Sequence, residues 1–170
     1  LTLESEGLVE FHARRGAFTT ELSVAAIREL FDLRILLETY VLRHAIPNLT
    51  AADLDRAEGI LRQYDAALDS GSQVYSWSDY NCAFHHALYA SSALPETLAM
   101  VGQLNTKAGR YIRMQLLYTR EIEKAEQEHR ELLQLARQGN IDQACQLLET
   151  HIKDAAEGIA AVLDKSLRSA

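Results

Sequence analysis

Three histidines and an asparagine stand where a helical chain normally places apolar residues. Asn81, Phe84, His85 and Leu88 occupy i, i+3, i+4 and i+7, which is one face of a helix. Asn81 and His85 are one turn apart, so both reach toward one ion. Glu126, His129, Leu132, Leu133 and Ala136 form a second stripe, and Ala144, Leu147, Leu148, His151, Ala155, Ile159 and Val162 a third. His85, His129 and His151 are thereby predicted to face inward from three helices. A buried imidazole costs free energy unless it is paired. Three that converge make a ligand set suited to zinc, nickel, copper or iron. The competing reading is three core histidines satisfied by hydrogen bonds, and spacing alone does not separate the two. Asn81 offers a neutral carbonyl oxygen, a weaker donor than a carboxylate, while Asp79 projects from another side of the helix. His86 lies about 100° round the helix from His85, and His44 sits near a helix end. Both are expected at the surface, and His12 lies in an N-terminal arm.

Three neutral imidazoles and an amide leave a divalent cation with its full charge, and such a site attracts an anion. Arg34 sits on the inward stripe of the first helix, one turn before Glu38. It is either half of a surface pair worth little or a guanidinium that grips a carboxylate with two hydrogen bonds. Arg110, Tyr111, Arg113, Gln115 and Tyr118 crowd the fourth helix. One arginine there is expected to reach the pocket, with the choice between Arg110 and Arg113 open. Catalysis is the rival use of the site. Glu126 and His129 form a Glu-x-x-His motif like those of di-iron bundles, which need a second copy. Leu148 stands three residues before His151, so the second copy fails, and no general base lies beside the site. The chain is read as a non-enzyme.

Six helices must position these groups. Ser23 is an N-cap, and Ile27, Leu30, Phe31, Arg34, Glu38 and Val41 follow at helical spacing until Pro47. Thr50 to Asp53 reads as a capping box opening a helix to about Asp69. Ser70 to Ser72 is a turn, and a third helix runs from about Gln73 to Ser91. Pro95 at N1 starts a fourth, to Tyr118. A fifth runs from about Thr119 to Gln138, Gly139 and Asn140 break it, and a sixth runs from Ile141 to about Ser166. Short connections make neighbours antiparallel, giving an all-α, antiparallel six-helix bundle around one core. Before Ser23, Leu8–Phe11 and Gly16–Thr19 are β-prone and predict a hairpin, with Gly7 as a helix stop ahead of it. A lone hairpin is marginal in water, so it is expected either to pack against a domain outside this chain or to be a loose N-terminal arm, and periodicity does not separate the two.

The composition fits one soluble domain: 170 residues, 48% hydrophobic, 24% charged, with 2 Pro and 8 Gly. A net charge of −7 argues against a free-standing nucleic-acid binder. Cys82 and Cys145 make no disulfide framework, so a cytoplasmic location is expected. No uncharged run approaches membrane-spanning length, and the start has no signal-peptide pattern.

In order and spacing, several segments resemble the C-terminal effector-binding FCD domain of the FadR branch of GntR-type bacterial transcription regulators. They are Glu6–Val9, Arg15–Phe18, Leu33–Glu38, Asn81–His85, Glu128–Leu133, Gly139–Ala144 and His151–Ile152. Six helices look more like the shorter VanR-type group. The resemblance implies that residues 1–19 are a recognition-helix end, wing and linker of a winged helix-turn-helix domain, with Arg14 and Arg15 at the wing's phosphate contacts. Residues 20–170 would be the effector-binding and dimerisation domain. Metal-binding relatives hold the ion with an Asp and three His. Those positions fall on Asn81, His85, His129 and His151, with zinc or nickel as the expected metal. The family's effector-contacting arginine falls on Arg34. The implied protein is a ligand-responsive homodimeric regulator that takes a small carboxylate and reaches operator DNA through a domain not in this chain.

Overall fold

The side chain of Ser23 accepts the Ala26 N–H at 3.0 Å and so starts helix α1, Val24–Ala45. A computed structural model describes residues 9–12, 16–19, 23–69, 74–118 and 122–168. Pro47 closes α1 in a short 3₁₀ turn, Ile46–Asn48. The capping box is reciprocal: Asp53 N–H donates to Thr50 Oγ1 at 3.2 Å, and Thr50 N–H to Asp53 Oδ2 at 3.0 Å. It opens α2, Ala51–Asp69. Helix α3 is Val74–Tyr89, and the chain then tightens into a 3₁₀ turn, Ala90–Ser92, where the sequence predicts α-helix to Ser91. The cause lies just downstream. Ala93 takes the left-handed conformation at φ 57°, and Leu94 precedes a proline that disfavours helix before it.

Pro95 opens α4, Pro95–Tyr118, and α5 is Ile122–Arg137. Gly139, at φ +70°, ends α5: its N–H donates to Ala136 O and the Asn140 N–H to Leu135 O, a Schellman closure. Helix α6, Ile141–Arg168, follows at once. Ahead of the helices, β1 (Val9–His12) pairs antiparallel with β2 (Gly16–Thr19), Val9 opposite Thr19 and His12 opposite Gly16. The hairpin is present, with its first strand one residue later than its pattern predicts. Arg14, Arg15 and the segment Leu1–Gly7 lie outside the described residues.

Helix α1 packs against α6, α4 and α3, while α2 packs on α3 and α5, and α5 on α6. Ile27, Phe31 and Leu42 of α1 meet Phe84 and Leu88 of α3, Leu132 of α5, and Leu148, Ile152 and Ile159 of α6 in one buried cluster. Each such side chain contributes about 1.5–3 kcal/mol on burial. The expected all-α bundle with one core is what the chain forms. Among the described residues no helix is long and apolar enough to cross a membrane.

Candidate metal centre

Apolar neighbours carry the three histidines inward. Phe84 and Leu88 flank His85 on α3, Leu132 and Leu133 follow His129 on α5, and Leu148 and Ile152 bracket His151 on α6. Burying those neighbours fixes each helix's rotation, and the imidazoles follow. His85 and His129 are buried and His151 half-buried. Their ring centroids stand 5.1, 5.4 and 4.8 Å apart, and one nitrogen from each ring lies within 4.8 Å of the others.

The hydrogen bonds show which nitrogens are spent. His151 Nδ1 meets Glu128 Oε2 at 2.7 Å, a carboxylate–imidazole pair that orients the ring. His85 Nδ1 lies 3.4 Å from the Tyr89 hydroxyl, which donates to Glu38 Oε2 at 2.8 Å. The hydroxyl's proton is thus committed to Glu38, so the His85 Nδ1–H is the donor in that long contact. His85 then presents Nε2 as a lone pair. His85 Nε2 and both nitrogens of His129 are buried without a hydrogen-bond partner. A purely structural histidine cluster would pair these atoms, because each unpaired buried polar group costs about 1–3 kcal/mol. The donor set fits a transition metal: every ring keeps a nitrogen free of partners, and neutral imidazole is the ligand form. Burial drives the His85 and His129 pKa values well below 6.5, with His129 and His151 adding to the effect on His85, and His151 and Arg130 to that on His129. Both rings are therefore neutral at pH 7. Phe84 and Tyr64 wall His129, with ring centroids 5.0 and 6.1 Å away.

Asn81 is half-buried one turn before His85 on the same helix. His86 and His44 are exposed, as their positions predict. Arg34 is not the surface member that one reading allowed. It is buried, its Nε donates to Glu38 Oε1 at 2.8 Å, and its guanidinium carbon stands 4.9 Å from the Phe31 ring centroid. Breaking such a buried pair costs about 3–5 kcal/mol, because it strands the remaining charge. Glu38 thus joins Arg34 to Tyr89, and Tyr89 reaches His85. On α4, Tyr111 is buried and Arg113 half-buried. Burial pushes the Cys82 thiol up, and the charges of Arg34 and Arg113 both oppose that shift, so both act near Cys82.

The sequence reading missed Tyr89 and Glu128 as supports of the centre. Tyr89 was legible, since it continues the Asn81–His85 row by four residues. Glu128 was not, because it serves a histidine on another helix.

A family model described as the FCD domain matches residues 29–154. The chain belongs to the FCD domain family. It is 26% identical to the HTH-type transcriptional regulator BphR of Paraburkholderia xenovorans (strain LB400), over 90% of this chain and 64% of that protein. The chain thus spans less than two thirds of that relative. A GntR family regulator from Pseudomonas syringae pv. tomato str. DC3000 is 26% identical, with a TM-score of 0.71, over 96% of this chain and 68% of that one. McbR/YncC of E. coli shares the fold, with a TM-score of 0.81 at 19% identity, over 93% and 79% of the two chains. His85, His129 and His151 all fall within the matched span.

Proposed function

We infer that this FCD domain is the ligand-sensing part of a GntR-family transcription regulator and that a small organic acid binds at its three-histidine centre. The carrying observation is that three helices bring imidazoles to one buried place with nitrogens left unpaired. His85, His129 and His151 would hold a divalent transition metal, zinc or nickel, with Asn81 as a fourth donor through its amide oxygen. When bound, such an ion supplies positive charge and open positions for anionic oxygen. Arg34 and Glu38 already neutralise each other. The ion's charge is then the one a carboxylate answers, with Arg34 and Arg113, or Arg110, as side-chain partners. The amide of Asn81 leaves that charge larger than an aspartate would.

Residues 20–170 form the effector-binding and dimerisation domain on this reading, and 1–19 belong to a winged-helix wing and linker. Arg14 and Arg15 touch DNA phosphate there. The regulator works in the cytoplasm as a homodimer and reaches its operator through the DNA-binding domain. Effector binding shifts the balance between two arrangements of the helices, which requires unequal affinity for the two. The regulatory relatives favour this over catalysis, and the unpaired His129 favours it over a metal-free helical module.

Thermal unfolding of the zinc-loaded chain against a panel of mono-, di- and tricarboxylic acids tests the reading. At least one acid raises the midpoint, and the rise disappears without zinc and in His151→Ala. An equal rise in His151→Ala, or none with any acid, contradicts it.

A further inference from the structure

Among the described residues five buried side-chain polar atoms have no hydrogen-bond partner, and three of them are the histidine nitrogens of the centre. Ser92 Oγ lies in the turn after α3. Asn105 Oδ1 lies in the middle of α4, in a row with Val101, Ala108 and Ile112, and the residue is 5% exposed. An amide oxygen buried this far without a donor is unfavourable, and a packed core places an apolar side chain there. Gly109 breaks a second local rule one turn later. Glycine is a poor helix former, yet it stands buried inside α4. Among the described residues a Cβ added to it would meet only the Arg113 guanidinium within 4 Å, at 3.8 Å. No packing neighbour therefore demands a glycine there, and its absent side chain leaves room beside Asn105.

Helix α4 packs on α1, α3 and α6, which carry Arg34, Asn81 with His85, and His151. Residues 90–94 join α3 to α4, and a connection this short makes the two antiparallel. Asn81 lies eight residues before Tyr89 and Asn105 ten after Pro95, so each is about 12–15 Å from the turn at 1.5 Å per residue. The two amides therefore stand at one depth in the bundle. The charge of Arg113, two turns past Asn105, acts on Cys82, the neighbour of Asn81, and so does that of Arg34. Arg34, Asn81, Asn105 and Arg113 thus border one part of the interior.

We propose that Asn105 sets specificity in the effector site by accepting a hydrogen bond from a hydroxyl of the bound acid, so that the effector is a hydroxycarboxylic acid. This rests on the organic-acid reading above and narrows it. The acid's carboxylate answers the ion's charge, and its hydroxyl meets Asn105 Oδ1 in the room left by Gly109. An unpaired carbonyl oxygen selects a donor. A carboxylate oxygen presents none, and an ammonium brings a charge that the ion and Arg113 repel. A neutral hydroxyl satisfies the amide without either cost. Discrimination is expected to be steep, because an acid that lacks the hydroxyl leaves Asn105 buried and unpaired.

Isothermal titration of the zinc-loaded chain tests this, with each acid of the panel above set against its 2-hydroxy counterpart, as succinate against malate. In the native chain the hydroxy member of at least one pair binds tighter by about tenfold or more. In Asn105→Leu that advantage falls to about twofold or less, while the affinity for the plain acid holds. Asn105→Leu also unfolds at or above the native midpoint, since an apolar side chain of similar size replaces an unpaired amide. A hydroxyl that merely chelates zinc would keep its advantage in the variant. Equal binding within every pair in the native chain, an advantage unchanged in Asn105→Leu, or a lower midpoint for that variant overturns the role of Asn105 and leaves the organic-acid reading standing. A native chain that binds no acid of either kind overturns both.

Discussion

Tyr89 touches His85 on one side and Glu38 on the other, which makes it the residue where the imidazole centre and the buried ion pair meet. Its hydroxyl fixes the His85 tautomer with Nε2 unprotonated, so its removal should act on metal affinity more than on folding. Tyr89→Phe keeps the ring that packs in the core. It is expected to weaken zinc affinity by about tenfold, within the range seen when partners of ligating histidines are lost. Chelator-competition titration reads this, and unchanged affinity would assign Tyr89 a packing role only. Protons give a second handle. Burial holds the His85 and His129 pKa values well below 6.5, so the metal-free fold keeps both rings neutral while the unfolded chain protonates them. Their folded pKa values are depressed, so the stability from these rings is full above about pH 6.5 and is lost as pH falls below it. The slope is up to about 1.4 kcal/mol per pH unit for each ring. Urea unfolding at pH 7.5 and 5.5 should show this loss, and His129→Gln should show a smaller one. A pH-independent stability would contradict the buried, neutral assignment. These histidines were legible in the sequence because they interrupt apolar stripes at helical spacing. Whether Arg34 and Glu38 form a buried or a surface pair was not, because the same i, i+4 spacing serves both and only tertiary packing decides.

At the scale of elements, the centre depends on how α5 and α6 are joined, since one carries His129 and the other His151. Gly139 makes that join in three residues by adopting φ +70° and letting the Asn140 and Gly139 amides close the end of α5. Gly139→Ala meets no steric neighbour at its Cβ, so the cost is conformational: about 1–2 kcal/mol for a left-handed non-glycine residue. The expected outcome is a lower unfolding midpoint with zinc stoichiometry retained. A midpoint at or above native would mean the turn can relax to another closure. Start and stop signals made this level the most readable. Ser23, the Thr50–Asp53 box, Pro95 and Gly139 each act locally, and each does in the fold what its type predicts. The end of α3 was less readable, because the left-handed Ala93 has no residue-type signal.

At the scale of the molecule, α1 lies between two surfaces of different kind. Its inner side carries Arg34 and Glu38, and its outer side carries Leu33, Leu36 and Tyr40. A ligand that repositions Arg34 acts on a helix that is continuous from Val24 to Ala45. The inward face was visible from periodicity, whereas the outer stripe was overlooked because exposed leucines are common on any helix. Ligand sensing in this domain depends, on the function proposed above, on the three-histidine centre. Elemental analysis of the chain, purified without a nickel column and then dialysed against zinc, tests it most directly. Close to one zinc per chain is expected in the native protein and near none in His129→Ala. Zinc absent from both, or equal in both, would contradict it.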